Sequence, residues 1–231
     1  MSNTPTNLGG AFCSARLVYR AVVDTPETRE FLQAALLDDP EVLGLGAPAV
    51  LRPQGTKFLD DVMEGFTKAS LMSVLVCPAP EEKDPSSAEG STPGEEDKRK
   101  KKAEPWYKNR PQPEPIGVVN MGPGADPFGA HHRGVSMGVM IAGPWQGRGY
   151  GSEAINWALD WAFRRANMHR VGLVCYGYNA RALHVYQKLG FVEEGRVREK
   201  LFFDNGWHDE VQMGMLRSEW ELLRRVGEEG S

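Results

Sequence analysis

The apolar positions fall into short runs separated by breaks. Residues 17–22, Leu-Val-Tyr-Arg-Ala-Val, predict a first strand. Helical spacing follows over residues 26–37 and 57–69, with a loop around residues 44–53 between them. Residues 71–77 read as a second strand, residues 116–121 as a third, and residues 134–141, Gly-Val-Ser-Met-Gly-Val-Met-Ile, as a fourth. From residue 152 to 167 a polar stripe at Glu153, Asn156, Asp160 and Arg164 leaves Ile155, Trp157, Leu159, Trp161 and Phe163 to a wide apolar helix face. Residues 171–176 are the next strand. Asn179 and Gly190 then bracket a helix over residues 180–189, Asn as a favoured N-cap and Gly as a favoured residue just past the end. Two strands, 191–203 and 208–216, are joined by Asp204-Asn205-Gly206, a hairpin signal, and residues 218–226 close as a short helix.

The order β-α-α-β-(insert)-β-β-α-β-α-β-β predicts an α/β (α+β) domain in which several adjacent strands are joined by loops, unlike a purely doubly wound fold. The pattern disappears over residues 78–115, which are rich in Pro, Glu, Lys and Ser and almost without aliphatic side chains. Such a segment cannot bury enough apolar surface to offset its ordering entropy, and a long surface loop is tolerated at small cost. The expected organisation is a flexible N-terminal segment (1–16), one domain built from residues 17–77 and 116–226, and a disordered low-complexity insertion (78–115). The basic run at residues 98–102, Lys-Arg-Lys-Lys-Lys, fits a nuclear-import or nucleic-acid patch. A solvated charge run, balanced by the acidic residues before it, is the favoured reading.

Composition narrows the function classes. With 41% hydrophobic and 25% charged residues and a net charge of −4, the chain is ordinary for a globular protein and carries no chain-wide nucleic-acid surface. Cys13, Cys77 and Cys175 are too few and too scattered for a disulfide framework or a zinc site, and no metal is expected. The first residues lack a basic and apolar leader, and no apolar run approaches the ~20 residues that span a bilayer. A reducing, cytoplasmic setting without a membrane partner is expected, with nuclear entry left open by the basic run.

The chemistry concentrates at residues 143–163, GPWQGRGYGSEAINWALDWAF, where glycines at 147, 149 and 151 stand directly before a helix. A strand, a glycine-rich bend and a helix start present free N–H groups to an anion. The Walker loop fails for want of a Lys and hydroxyl pair. The dinucleotide fingerprint fails because Ser152 takes the place of its third glycine and the next strand ends Cys175-Tyr176-Gly177 without a carboxylate. The third pattern fits. Gln146-Gly147-Arg148-Gly149-Tyr150-Gly151 resembles the Gln/Arg-x-x-Gly-x-Gly/Ala signature of the GNAT superfamily of acetyl-CoA-dependent N-acetyltransferases. One strand later, Asn179 to Phe191 resembles that family's Asn-x-x-Ala-x-x-x-Tyr-x-Lys-x-Gly-Phe helix. The stretch from Asp204 through Met215 to Trp220 looks like the C-terminal hairpin of the ribosomal-protein acetyltransferase branch. The likeness covers residues 134–220 well, residues 17–77 only through the order of elements, and the insertion not at all.

The resemblance implies a mixed, mostly antiparallel sheet of about seven strands flanked by helices in a single domain. It implies acetyl-CoA as cosubstrate, an amine acceptor (a protein N-terminus or a small amine), and direct transfer in a ternary complex. Gln146, Gly147, Arg148, Gly149, Tyr150, Gly151 and Ser152 would form the pyrophosphate loop. Gln146 would brace it, and Arg148 either adds a cation or faces solvent. Residues 137–141 would splay from residues 171–176, so that main-chain groups of Met140, Ile141 and Ala142 pair with the pantetheine arm. Asn179 caps its helix and would also hold the cosubstrate. Tyr186 would protonate the departing thiolate, or it is a packing residue of the helix face; a phenol is protonated at pH 7.

The general base is the departure from the pattern. Many relatives carry a Glu two residues before the glycine of the fourth strand; here Ser136 stands there. His131 and His132 are candidates because imidazole titrates near neutrality, with His132 the chosen catalytic residue. Asp209 and Glu210 could instead draw in a cationic amine, and a relayed water is a further option. A non-catalytic acyl-CoA-binding or scaffold protein on the same fold is the alternative function, against which the retained Tyr186 argues. The oligomeric state is not legible.

Overall fold

Seven strands form one sheet in the order β1-β2-β3-β4-β5-β7-β6. They are β1 (Leu17–Ala21), β2 (Met72–Pro78), β3 (Gly117–Pro123), β4 (Gly134–Ile141), β5 (Arg170–Tyr176), β6 (Val192–Phe203) and β7 (Gly206–Leu216). Every neighbouring pair is antiparallel except β4 and β5. This computed structural model describes residues 10–47, 49–79, 113–123 and 130–229. The helices are α1 (Pro26–Leu32), α2 (Pro40–Gly46), α3 (Thr56–Glu64), α4 (Tyr150–Asp160), α5 (Ala180–Lys188) and α6 (Arg217–Glu229). None among the described residues is long and apolar enough to cross a membrane. The expected single-domain, mostly antiparallel sheet with flanking helices is present.

Alternation along the strands supplies two cores. One sheet face (Val119, Met121, Val135, Met137, Leu173, Cys175, Val211 and Met213 among others) packs on Ile155, Leu159 and Phe163 of the α4 region and on Trp220 of α6. The other face, carrying Leu75, Cys77, Val118 and Met140, is covered by α1, α2 and α3 through Leu32, Leu43, Leu59 and Met63. Strand period places these residues on opposite sides, and burial of each set holds a helical layer.

Helix α2 is absent from the predicted elements because Gly44-Leu45-Gly46 is a poor helix-forming run. Its start is nevertheless marked: Asp39 Oδ1 accepts the N–H groups of Glu41 and Val42, at 2.9 and 3.1 Å, and Pro40 opens the first turn. The β6–β7 turn also shifts by one residue. Asp204 and Asn205, at φ 47° and 58°, are its two central residues, and Gly206 is already paired with Phe203.

Two expected boundaries change. Residues 1–9 lie outside the described residues, but residues 10–16 pack rather than hang free as a flexible segment would. Trp157 Nε1 donates to Ala11 O at 3.0 Å, Cys13 bridges to Val18, and Ser14 Oγ donates to Glu153 at 2.7 Å. Most of the disordered insertion expected at 78–115 falls on residues 80–112, outside the described residues. At its ends Pro78 pairs with Leu17 in the sheet, and the Pro113 carbonyl accepts from Arg20 at 2.8 Å. The folded domain therefore reaches past both expected limits.

Candidate active site

Pairing between β4 and β5 stops early. Gly134, Val135 and Ser136 face Arg170, Val171 and Gly172, and beyond them the strands carry no pairs. The expected splay of residues 137–141 from β5 is thus present. Hydrogen-bonding direction alternates along a strand. The Ala142 N–H donates to Ile116 O beside β3, and the Arg133 carbonyl accepts from His169 N beside β5. Odd-numbered residues of β4 therefore turn their main-chain groups toward β5, which leaves Val139 and Ile141 facing the gap. This corrects the expected trio. Ile141 faces the gap with its carbonyl accepting from Gln146, Met140 lines the cavity, the Ala142 N–H is bonded away from the gap, and Val139 is the residue the sequence did not mark.

A cavity of about 370 Å³ fills the gap and passes through the sheet. On one side it is lined by Ile155, Ala182, Val185 and Tyr186, on the other by Val42, Leu45, Gly46 and Met140. At its end stand Gln146, Gly147, Gly149, Gly151 and Ser152. Gly147 and Gly149 have φ of 76° and 82°, a left-handed backbone open to glycine, and Gly149 caps α4. Gly151 lies in the first helical turn, where a Cβ would stand 3.7 Å from Ile141. The helix start leaves N–H groups without intrahelical partners beside this loop.

Gln146 braces the loop as expected, its Nε2 donating to Ile141 O at 2.8 Å. Its Oε1 accepts from Arg181 at 3.2 Å, which brings a guanidinium to the cavity wall that sequence reasoning missed. Arg148 is exposed, with its guanidinium 5.3 Å over the Trp145 ring, and Arg16 donates to the Arg148 carbonyl at 3.1 Å. Three guanidinium groups therefore border the loop. Tyr150 sits behind it, 6.0 Å from Trp145 and under the Arg16 guanidinium. Arg148 and Tyr150 do not line the cavity itself, unlike the other loop residues predicted.

Asn179 caps its helix and stands on the cavity wall. Its Oδ1 accepts Ala182 N–H at 3.0 Å. Its Nδ2 donates to Leu45 O at 3.1 Å, while Tyr178 Oη donates to Gly44 O at 2.9 Å, so side chains of the β5–α5 loop satisfy the last carbonyls of α2. Tyr186 packs edge-on against Phe191, with ring centroids 5.8 Å apart. Burial, and then the neighbouring Cys175 thiol, push its phenol up to about 12.

The base candidates are not brought together with these groups. His132 lies exposed in the turn Ala130–His132 at the far end of β4, its ring tilted 45° to that of His131. Five strand residues, 134–138, lie between that turn and Val139, roughly 17 Å of extended backbone from Gly134 to Val139 at ~3.3 Å per residue. Glu210 is buried and ion-paired to Lys200 at 2.6 Å; Asp209 accepts the Glu199 N–H at 3.1 Å and lies 3.6 Å from Arg196. Among the described residues no carboxylate or imidazole lines the cavity.

Residues 70–191 match the acetyltransferase (GNAT) family. The chain belongs to that family. Over 89 residues it is 36% identical to a spermidine N(1)-acetyltransferase of Vibrio cholerae, covering 38% of this chain and 51% of the relative. Over 84 residues it is 30% identical to the [ribosomal protein uS5]-alanine N-acetyltransferase of Escherichia coli K12, covering 36% of this chain and 43% of the relative. The chain thus spans about half the length of the curated relatives it matches, and relatives of both kinds match, so the ribosomal branch is not singled out. The fold superposes on the V. cholerae spermidine N-acetyltransferase in complex with CoA and spermine with a TM-score of 0.64, at 22% identity, covering 90% of this chain and 99% of the other. At that identity the likeness is one of fold. The sheet split, the glycine loop and Tyr186 are this GNAT chain's own equipment.

Proposed function

We propose that the chain transfers the acetyl group of acetyl-CoA to an α-amino group, by direct attack with both substrates bound. The observation that carries this is the gap after Ser136 and Gly172, which puts the main-chain groups of Val139 and Ile141, the glycine loop and Tyr186 around one cavity. The residues present fit the cosubstrate: N–H donors and bordering guanidinium groups suit a diphosphate, and an unpaired strand suits an amide-bearing arm. Acetyl-CoA supplies an activated thioester. The amine nitrogen bonds to the acetyl carbon, the carbon–sulfur bond breaks with its electron pair leaving on sulfur, and the proton that the nitrogen sheds passes to water or to the departing thiolate.

Tyr186 donates a hydrogen bond to that sulfur. A phenol at about 12 stays protonated throughout the working range. It is a weaker acid than a thiol near ~8.5, so it steadies the departing thiolate rather than surrendering its proton outright. A protein that only bound acyl-CoA would have no use for a hydroxyl there.

The acceptor follows from the missing base. With Ser136 in the acidic position, His132 remote and, among the described residues, no carboxylate or imidazole on the cavity wall, the amine must arrive already neutral. An α-amino group, with a pKa near ~8, is about a tenth neutral at pH 7, whereas an alkylamine near ~10.4 is neutral to about four parts in ten thousand. A protein or peptide N-terminus is favoured over a polyamine or lysine side chain. Thiol release from acetyl-CoA with N-terminal peptides, spermidine and a side-chain lysine peptide, compared at pH 7 and 9, tests this. Faster turnover of spermidine at pH 7 overturns the acceptor, and no turnover with any amine overturns the activity.

A further inference from the structure

Glu153 sits in the first turn of α4, the same helix end that faces the glycine loop. A carboxylate there favours the helix dipole but competes with any other anion at that end. The side chain is only 15% exposed. Its Oε1 accepts Ser14 Oγ and Arg16 N–H, each at 2.7 Å, and its Oε2 accepts Arg16 Nε at 2.8 Å. Arg16 spends only its Nε edge on this pair. Its Nη1 donates to the Arg148 carbonyl at 3.1 Å, and its Nη2 stands 3.3 Å from where a Cβ on Gly149 would lie. The guanidinium thus runs from the Glu153 carboxylate to the outer side of the loop, resting 4.7 Å over the Tyr150 ring.

We infer that Arg16 is a positioning residue that sets the charge of the phosphate loop, cancelling the Glu153 carboxylate and holding the loop backbone from outside the cavity. This rests on the proposal that the loop takes the diphosphate of acetyl-CoA. The N-terminal arm is then part of the binding apparatus, anchored by Ala11 on Trp157 and by the stacking of Tyr19 on the same ring at 3.7 Å.

A merely structural ion pair and a charge-setting one predict opposite signs at Glu153. Glu153→Gln keeps an acceptor for Ser14 and the Arg16 N–H but removes the negative charge. We expect it to lower Tm yet tighten acetyl-CoA by about threefold, with a steeper salt dependence. Arg16→Met keeps the alkyl stem and loses the guanidinium. It should weaken acetyl-CoA about tenfold while acetyl-pantetheine, which carries the thioester arm without the diphosphate, stays within about twofold. Dissociation constants of both ligands for both variants, measured by calorimetry on the full chain, decide it. Weaker acetyl-CoA binding by Glu153→Gln, or equal loss of both ligands in Arg16→Met, reduces the pair to a brace and overturns the inference. If Arg16→Met does not fold, the sign at Glu153→Gln decides alone. A wild-type protein that binds acetyl-CoA no better than acetyl-pantetheine overturns the phosphate-loop proposal itself. A wild-type preference that neither variant changes overturns only the role of Arg16.

Discussion

The hydroxyl of Tyr178 donates to the carbonyl of Gly44 at 2.9 Å, although the two residues lie 134 positions apart. The Tyr178 ring is stacked on Phe203, with centroids 4.3 Å apart, and a Cβ on Gly44 would come within 3.0 Å of that Phe203 ring. The end of α2, the loop after β5 and the β6–β7 hairpin therefore meet at one point beside the cavity. Gly44→Ala must displace the Phe203 ring, and Tyr178→Phe keeps the stack but orphans a helix-end carbonyl. Each should cost ~1 kcal/mol in urea unfolding. Both should raise KM for the amine more than Kd for acetyl-CoA, because the disturbed wall is on the side away from α4. Equal changes in the two constants would show that this contact does not shape the acceptor side.

Tyr186→Phe retains the ring against Phe191 and loses only the hydroxyl. Affinity for CoA should stay within about threefold while kcat falls ~10²-fold, the effect of losing one well-placed donor to developing charge. Single-turnover measurement separates the chemical step from product release. An unchanged single-turnover rate would leave Tyr186 as packing.

Gly149 holds φ at 82° and faces Arg16, so a β-branched residue there meets both backbone strain and a guanidinium. Gly149→Val should weaken acetyl-CoA by at least about tenfold, at a stability cost of roughly 1–2 kcal/mol from the left-handed backbone. Gly147 shares the conformation, at φ 76°, but a Cβ there meets nothing within 4 Å. Gly147→Ala should therefore cost backbone strain alone and weaken binding less, which titration of the two variants will read directly.

How much of this was legible in the sequence depends on whether the signal was local. The glycine loop, the Asn179 cap and the apolar runs of the strands are local patterns, and the elements they predict are present. The end of α2 was not legible, because Gly44-Leu45-Gly46 is held helical by Tyr178 and Asn179 from another part of the chain. Val139 was missed and Ala142 included because hydrogen-bonding parity along β4 depends on where β3 is registered. His132 looked close to the chemistry only along the chain; extended backbone carries neighbours in sequence steadily apart. Arg16 and Arg181 had no motif, since their roles come from contacts with Glu153 and Gln146 made on folding.

Two buried thiols and the half-buried Tyr186 phenol should make the protein's stability sensitive to alkali. Burial raises Cys77 and Cys175 from an ordinary 9.0 to about 11 each, with Arg20 pulling Cys77 partly back, and raises Tyr186 from 10.0 to about 12. Above pH 9 the unfolded chain sheds protons that the folded chain keeps, so stability is full below that point. It should fall as pH rises toward 11 and 12, with a slope of up to ~1.4 kcal/mol per pH unit per group. Urea midpoints at pH 8, 9 and 10 should show the decline, and Cys175→Ala should flatten it. A midpoint independent of pH over that range would mean that these groups ionise as readily folded as unfolded.

Met137, Val139 and Ile141 amount to a sheet edge placed inside the sheet. Outer edges in natural proteins are defended by charge, proline or bulges against pairing with other chains. This one, Met-Gly-Val-Met-Ile, has none of those defences. It is guarded by walls instead, with Ile155 and Tyr186 on one side and Val42 and Gly46 on the other. A polypeptide strand projects side chains to both faces, and these would meet both walls. A thin, extended molecule carrying amides along its length would meet neither, so the walls that suit such an arm also guard the edge against the protein's own kind.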